Sequence, residues 1–177
     1  MSSQSKKQSR EDVLKVSYLE TPLGRMIAVA NEDALFSLEF VDRKNLEQKA
    51  ERLRHKTGSA IISGQTKQTV LIEKELDFYF KGKLKEFKTP MKFLGTPFQI
   101  QVWEELMKIP HGETRSYSDI AHAIGKPTAF RAVAQSNGRN PLAIIVPCHR
   151  VINLNGDLGG YSSGLDRKKW LLSLEKN

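Results

Sequence analysis

The chain of 177 residues has a single cysteine, Cys148. One cysteine excludes an internal disulfide and fits a reducing compartment. The expected location is the cytoplasm, or the nucleus if the source has one. The four histidines are scattered without a recognisable ligand spacing, so no metal site is expected. No apolar run approaches the roughly 20 residues that cross a bilayer. Residues 1–10, rich in Ser, Gln and Lys, lack the apolar segment of a secretory signal. No membrane partner is therefore expected. A further absence is local: residues 120–156 contain no Asp or Glu, yet they carry Lys126, Arg131, Arg139 and Arg150. Together with a formal net charge of +8, this points to a polyanionic partner. Charge alone leaves solvated lysines as an equal reading.

What is present is an ordinary globular composition, 39% hydrophobic and 27% charged, sufficient for a real core. The length suits one domain or two small ones. Residues 1–11 read as a disordered tail. Residues 13–19 and 25–30 read as strands joined by a turn at Thr21-Pro22-Leu23-Gly24. Phe36, Leu38 and Phe40 alternate with Ser37 and Glu39, the pattern of a half-buried strand. Helices are predicted over 45–55 and 65–80, and another strand over 86–91.

The pattern changes near Met91. Thr96-Pro97 is a helix start, with Thr as cap and Pro at the first helical position. Phe98, Val102, Leu106 and Ile109 follow at helical spacing. Ser116 and Asp119 form a capping box for a helix over 118–124. After the turn Gly125-Lys126-Pro127, Thr128 is predicted to cap a helix running to Asn137. Two short helices about a tight turn make a helix-turn-helix candidate. Ala129, Ala132, Val133 and Ala134 keep the second helix slim, which suits a groove floor or close helix packing equally. Arg131 reads as a phosphate or base contact, or as a solvated side chain. A glycine-rich loop spans 156–164. Asp166 is predicted to cap a last helix, with Leu165 and Trp170 as a hydrophobic staple.

Cys148 lies between the apolar runs Ile144-Ile145-Val146 and Val151-Ile152, after Pro147 and before His149. In a regular strand, neighbouring side chains face opposite ways. If Pro147 opens a helical turn instead, Cys148 and His149 share a pocket, and nearby backbone N–H groups favour thiolate. The duller reading is an inert buried thiol. A cysteine protease would need a histidine from elsewhere, and His111 and His122 have no supporting pattern. Arg150 suits a phosphate or a carboxylate. Spacing alone leaves Glu175 as a solvated charge.

The segment Pro147-Cys148-His149-Arg150-Val151 resembles the active-site motif of the O6-alkylguanine-DNA alkyltransferases. Thr96 to Trp103, Ser116-Tyr117, Phe130 to Val133, Asn140-Pro141, Gly159 to Ser162 and Lys169 to Leu172 follow in that family's order. The resemblance implies an α/β protein. A small ribonuclease H-like N-terminal domain, residues 12–92, precedes a mainly helical, winged-helix-like domain, residues 93–177, with the helix-turn-helix and a buried active-site cysteine. It implies a repair protein that flips O6-alkylguanine out of the minor groove and transfers the alkyl group irreversibly to Cys148, once per molecule. It implies Cys148, His149, Glu175, Tyr117 and Asn140 as the reactive set: nucleophile, base through a water, orienter, acid, and the residue that holds the turn. Arg131 would fill the vacated space, with Ala129, Ala132, Ser116, Lys126 and Arg139 against DNA. Tyr161, Ser162, Val151 and Pro147 would line the pocket. No cofactor is implied, and a monomer is expected. Activity on O4-alkylthymine is left open. The alternatives are an alkyltransferase-like protein that binds lesions without repair, and a helix-turn-helix regulator.

Overall fold

The structure, a computed structural model, describes residues 13–177; the tail at 1–11 lies outside the described residues. Three antiparallel strands open the fold: β1 (Leu14–Thr21), β2 (Gly24–Ala30) and β3 (Leu35–Phe40). Thr21 Oγ1 ties the first turn to Gly24 O at 2.6 Å, and Gly24 takes the positive φ (119°) that the turn requires. Helix α1 (Leu46–Thr57) buries none of its residues. A short strand, β4 (Ile61–Ser63), then pairs parallel to β1, giving the order β3-β2-β1-β4. Three residues are too few for an alternation to be legible, so β4 was not foreseeable. Helix α2 (Lys67–Phe80) starts at a Thr66/Thr69 capping box and lies on β1 and β2.

The strand expected over 86–91 does not form. The backbone N–H groups of Lys88 and Thr89 donate instead to the Glu75 carboxylate, at 2.6 and 2.7 Å, and Pro90 has no N–H to offer. Only Met91 makes a single bridge, to Leu35.

Helix α3 (Pro97–Leu106) has the expected Thr96 cap, which Gln99 completes as a capping box, and buries Val102, Trp103 and Leu106. Helix α4 (Tyr117–Ala123) begins one residue before the expectation, at the Ser116/Asp119 box. Helix α5 (Phe130–Gly138) is preceded by Ala129, with no side-chain cap; Thr128 does not cap it. Two-residue strands β5 (Arg115–Ser116) and β6 (Val151–Ile152) pair in parallel beside the helix pair. Helix α6 (Leu165–Lys176) starts after Gly164. Asp166 therefore sits inside the first turn, where its charge suits the helix dipole, and is not the cap. Leu165 is itself helical and exposed, so there is no staple. Trp170 packs on Phe80 of α2 instead, ring centroids 5.5 Å apart.

One apolar cluster runs through both halves. Leu38, Phe40, Ile72 and Tyr79 share it with Val102, Leu106, Leu142 and Cys148. The run before the cysteine is tied to β3 by Leu38 N to Pro141 O and Ala143 N to Leu38 O, both 2.9 Å. The N-terminal sheet thus backs the segment that presents Cys148.

Candidate active site

The stretch 142–146 is buried, but it is a tight turn rather than a strand. Val146 N donates to Leu142 O at 3.0 Å, and Ile144 adopts a φ of 72°. A β-branched residue there is a true conformational outlier. Asn140 bridges this turn: its Nδ2 donates to Val146 O (2.9 Å) and Leu142 O (3.3 Å), and its Oδ1 accepts from Leu142 N (2.9 Å). A residue of this type satisfies backbone groups that a strand ladder would otherwise pair.

Pro147 then opens a single 3₁₀ turn, Cys148–Arg150, all three residues of which are buried. The turn expectation for the Pro-Cys-His step is met. The expectation of a thiolate at rest is not. Burial pushes the Cys148 thiol above its ordinary range; the Asn140 side chain and the charges of Arg43 and Lys168 oppose this without reversing it. The thiol is therefore protonated at neutral pH.

His149 follows Cys148 directly. Its Nε2 lies 2.7 Å from Glu175 Oε1, and its Nδ1 is buried without a protein hydrogen-bond partner. An ionised carboxylate only accepts, so Nε2 carries the proton and Nδ1 is the basic nitrogen. Burial pushes the imidazole below its ordinary range, against the pull of Glu175. Glu175 is not a solvated charge. It is 5% exposed on α6 and also accepts from Arg150 Nε (2.9 Å), Arg150 Nη2 (2.9 Å) and Tyr79 Oη (2.7 Å). Burial raises its carboxyl, but the hydrogen bonds from His149 and Arg150 and the Arg150 charge outweigh this and hold it well below the carboxylate range. Arg150 is a permanent cation, so Glu175 stays ionised while His149 stays neutral. Arg150 also donates to Ile109 O at 2.7 Å; it is an internal ion-pair partner, and its charge is not free for phosphate.

A cleft of about 550 Å³ opens beside this cluster. Tyr117, Arg131, Asn137, Tyr161 and Ser162 are among the residues lining it. Tyr117 is half-buried, and burial raises its phenol above the ordinary value, so it donates a hydrogen bond more readily than it ionises. The Tyr161 hydroxyl is buried with no protein partner. Val151 and Pro147 are buried and are not among the residues that line the cleft. Arg131, Ala132, Lys126 and Arg139 are exposed, and Ala129 is half-buried. Lys126 Nζ rests 5.0 Å from the Phe98 ring centroid. Ser116 is not brought to the surface: it is 6% exposed, and its hydroxyl accepts from Asp119 N in the helix cap.

Four residues at the site were not singled out from the sequence. Tyr79 joins from α2. Asn137 Nδ2 donates to Cys148 O at 3.3 Å. Lys168, fully buried, donates its ammonium protons to the carbonyls of Val151 (2.6 Å), Gly160 (3.1 Å) and Leu158, so it anchors the loop that walls the cleft. Burial lowers its pKa to about 8. Arg43, from the turn after β3, donates to Gly138 O (2.7 Å), Asn140 O (3.0 Å) and the buried Glu39 (2.7 Å). A lysine or arginine among ordinary surface charges gives no signal of burial, and a tyrosine at core spacing gives none of a polar role.

Fold and site together define a two-part α/β protein in which a ribonuclease-like sheet unit backs a helix-turn-helix unit with a buried cysteine. Comparison with known proteins is unambiguous. Residues 14–93 match the model of the 6-O-methylguanine DNA methyltransferase ribonuclease-like domain, and residues 97–177 that of the same family's DNA-binding domain. The chain is 44% identical over 160 residues to the methylated-DNA–protein-cysteine methyltransferase of Methanosarcina barkeri, covering 90% of this chain and 95% of that one. It is 44% identical over 163 residues to the constitutive enzyme of Bacillus subtilis, covering 89% and 92%. The crystal structure of the Mycobacterium tuberculosis O6-methylguanine methyltransferase superposes with a TM-score of 0.79 at 38% identity, over 93% of each chain. That protein in complex with DNA gives 0.76 at 39%, over 92% of each. The chain belongs to the 6-O-methylguanine DNA methyltransferase family.

Proposed function

We propose that this protein repairs O6-alkylguanine in duplex DNA by moving the alkyl group onto its own Cys148. The observation that carries the reading is the buried Cys148–His149–Glu175 cluster beside a cleft lined by Arg131 and Tyr117.

The reaction needs four things, and the chain has a group for each. The thiol must lose a proton; His149 Nδ1 takes it through a water, while Glu175, itself held by Arg150, orients the ring and stabilises the imidazolium that forms. The sulfur must then reach the alkyl carbon in line. A new S–C bond forms as the C–O6 bond breaks, and the electron pair stays on guanine. Guanine is a poor leaving group as an anion, so it must be stabilised and take up one proton; the Tyr117 hydroxyl donates a hydrogen bond to it, water supplies the proton, and His149 returns the thiol's proton to water. Finally the base must be extruded, because the duplex stack hides its O6 atom. Arg131 on α5 fills the space left behind, with α5 in the minor groove. The exposed Ala132 lets the helix approach, and Lys126 and Arg139 neutralise phosphates.

No cofactor enters this scheme. A thioether is stable to water and the chain has no second thiol, so each molecule reacts once. The experiment is transfer of a labelled methyl group from O6-methylguanine duplex to wild type and to Cys148→Ala. Label on wild type alone supports the reading. DNA binding without any label on wild type would favour a lesion-binding role, and preference for one undamaged sequence would favour a regulator.

A further inference from the structure

Phe130 is the first residue of α5, and 45% of it is exposed. It lines the same cleft as Arg131 and Tyr117. Four and seven residues further on, Ala134 and Asn137 line that cleft too, and Asn137 touches the backbone of Cys148. Residues at this spacing share one helical face. A single stripe therefore runs along the cleft from an exposed aromatic ring to Asn137, which holds the backbone of Cys148. Elsewhere on α5 the exposed side chains are small or polar: Arg131, Ala132 and Gln135. A phenyl ring at the start of the helix breaks that pattern.

We propose that Phe130 is a DNA-contacting wedge: its ring enters the minor groove beside Arg131 and props open the base step next to the extruded nucleotide. This rests on the base-extrusion reading of the site. Proteins that work from the minor groove insert apolar side chains between base steps and kink the duplex. Stacking on an aromatic face accepts any base, which suits a protein directed to lesions rather than to a sequence. Arg131 can replace a missing base with a charged plane, but it does not exclude water from the neighbouring pair; an apolar ring does. The Arg131 guanidinium lies 5.9 Å from the Phe130 centroid. Against about 3.4 Å per base step, the two side chains address different levels of the stack.

The test compares wild type, Phe130→Ala and Phe130→Tyr in single-turnover transfer. The substrates are an O6-methylguanine duplex, the same strand unpaired, and free O6-benzylguanine. Phe130→Ala should lose about tenfold on the duplex, the scale of one base–aromatic contact. It should stay within about twofold on the free base, and Phe130→Tyr should recover the duplex rate. An equal loss on all three substrates, or no loss on the duplex, overturns the wedge. Duplex bending is read separately by energy transfer between end labels, in complexes of Cys148→Ala with and without Phe130→Ala. This readout needs no transfer, so it tests the wedge even if wild type takes no methyl. The wedge predicts a smaller bend without the ring; an unchanged bend contradicts it.

Discussion

Tyr79 Oη donates to Glu175 Oε1 at 2.7 Å, on the same oxygen that meets His149 Nε2 at 2.7 Å. A hydroxyl from the N-terminal unit thus helps fix the carboxylate that orients the candidate base. Tyr79 is 1% exposed, and burial together with the charge on Glu175 holds its phenol protonated, so it acts only as a donor. Tyr79→Phe should lower unfolding free energy by about 1.5–3 kcal/mol, the worth of a buried hydrogen bond to a charged group. Urea unfolding measures it. A loss below about 0.5 kcal/mol would show that the tie is idle.

Glu175 makes stability depend on acid. Its carboxyl titrates lower in the fold than in the unfolded chain. The stability it contributes is complete above the ordinary carboxylate range and is lost as pH falls below it. Glu175→Gln should cost about 3–5 kcal/mol near neutral pH, because it leaves Arg150 buried and unpaired. The variant should also show a flatter acid limb in melting temperature against pH. A variant curve parallel to wild type contradicts this assignment.

The base sets the pH profile of alkyl transfer. Burial lowers His149, so it remains neutral, and able to take a proton, below the usual imidazole range. Burial raises Cys148, so the thiol does not ionise alone at neutral pH. The transfer rate to free O6-benzylguanine should therefore be flat through neutrality. On the acid side it should fall with a midpoint below the ordinary histidine value of 6.5. A midpoint at or above that value would remove His149 as the base.

Lys168 should behave as a structural cation. Lys168→Met keeps the length but leaves the carbonyls of Val151, Leu158 and Gly160 without their donor. Each unsatisfied buried acceptor costs about 1–3 kcal/mol. The variant should melt lower, and amide exchange over 157–163 should quicken. Unchanged exchange there would show that the loop is held by other means.

Alkylation should destabilise its own product. Cys148 is 3% exposed within the shared core, so an added methyl group overpacks it by about 1–3 kcal/mol. A chain of this size loses about 2–4 °C per kcal/mol. The melting temperature of the methylated form should be lower than that of the free thiol. Equal values would place the methyl group in open space.

The strands and helices with strong periodicity were legible in the sequence, and so were the Thr96 cap, the Ser116 capping box and the turn opened by Pro147. Their signals are local: a cap, a ring that fixes φ, an alternation. What was not legible depends on distant partners. Glu175 lies 26 residues from His149 and 96 from Tyr79, and nothing in its own neighbourhood marks it as buried. The strand expected over 86–91 lost its backbone donors to Glu75, a contact between segments. Thr128 and Asp166 carried the chemistry of caps but fell one or two residues outside the required positions. The thiol rests protonated because burial outweighs the local dipole, a balance that residue spacing does not give.

The most direct measurement is intact mass after incubation with a limiting, then an excess, amount of O6-methylguanine duplex. The account predicts a gain of one methylene per protein chain, located on Cys148, that saturates at one equivalent and is absent in Cys148→Ala. Methyl groups lost from DNA in excess of one per chain, or a modification at any other residue, would contradict it.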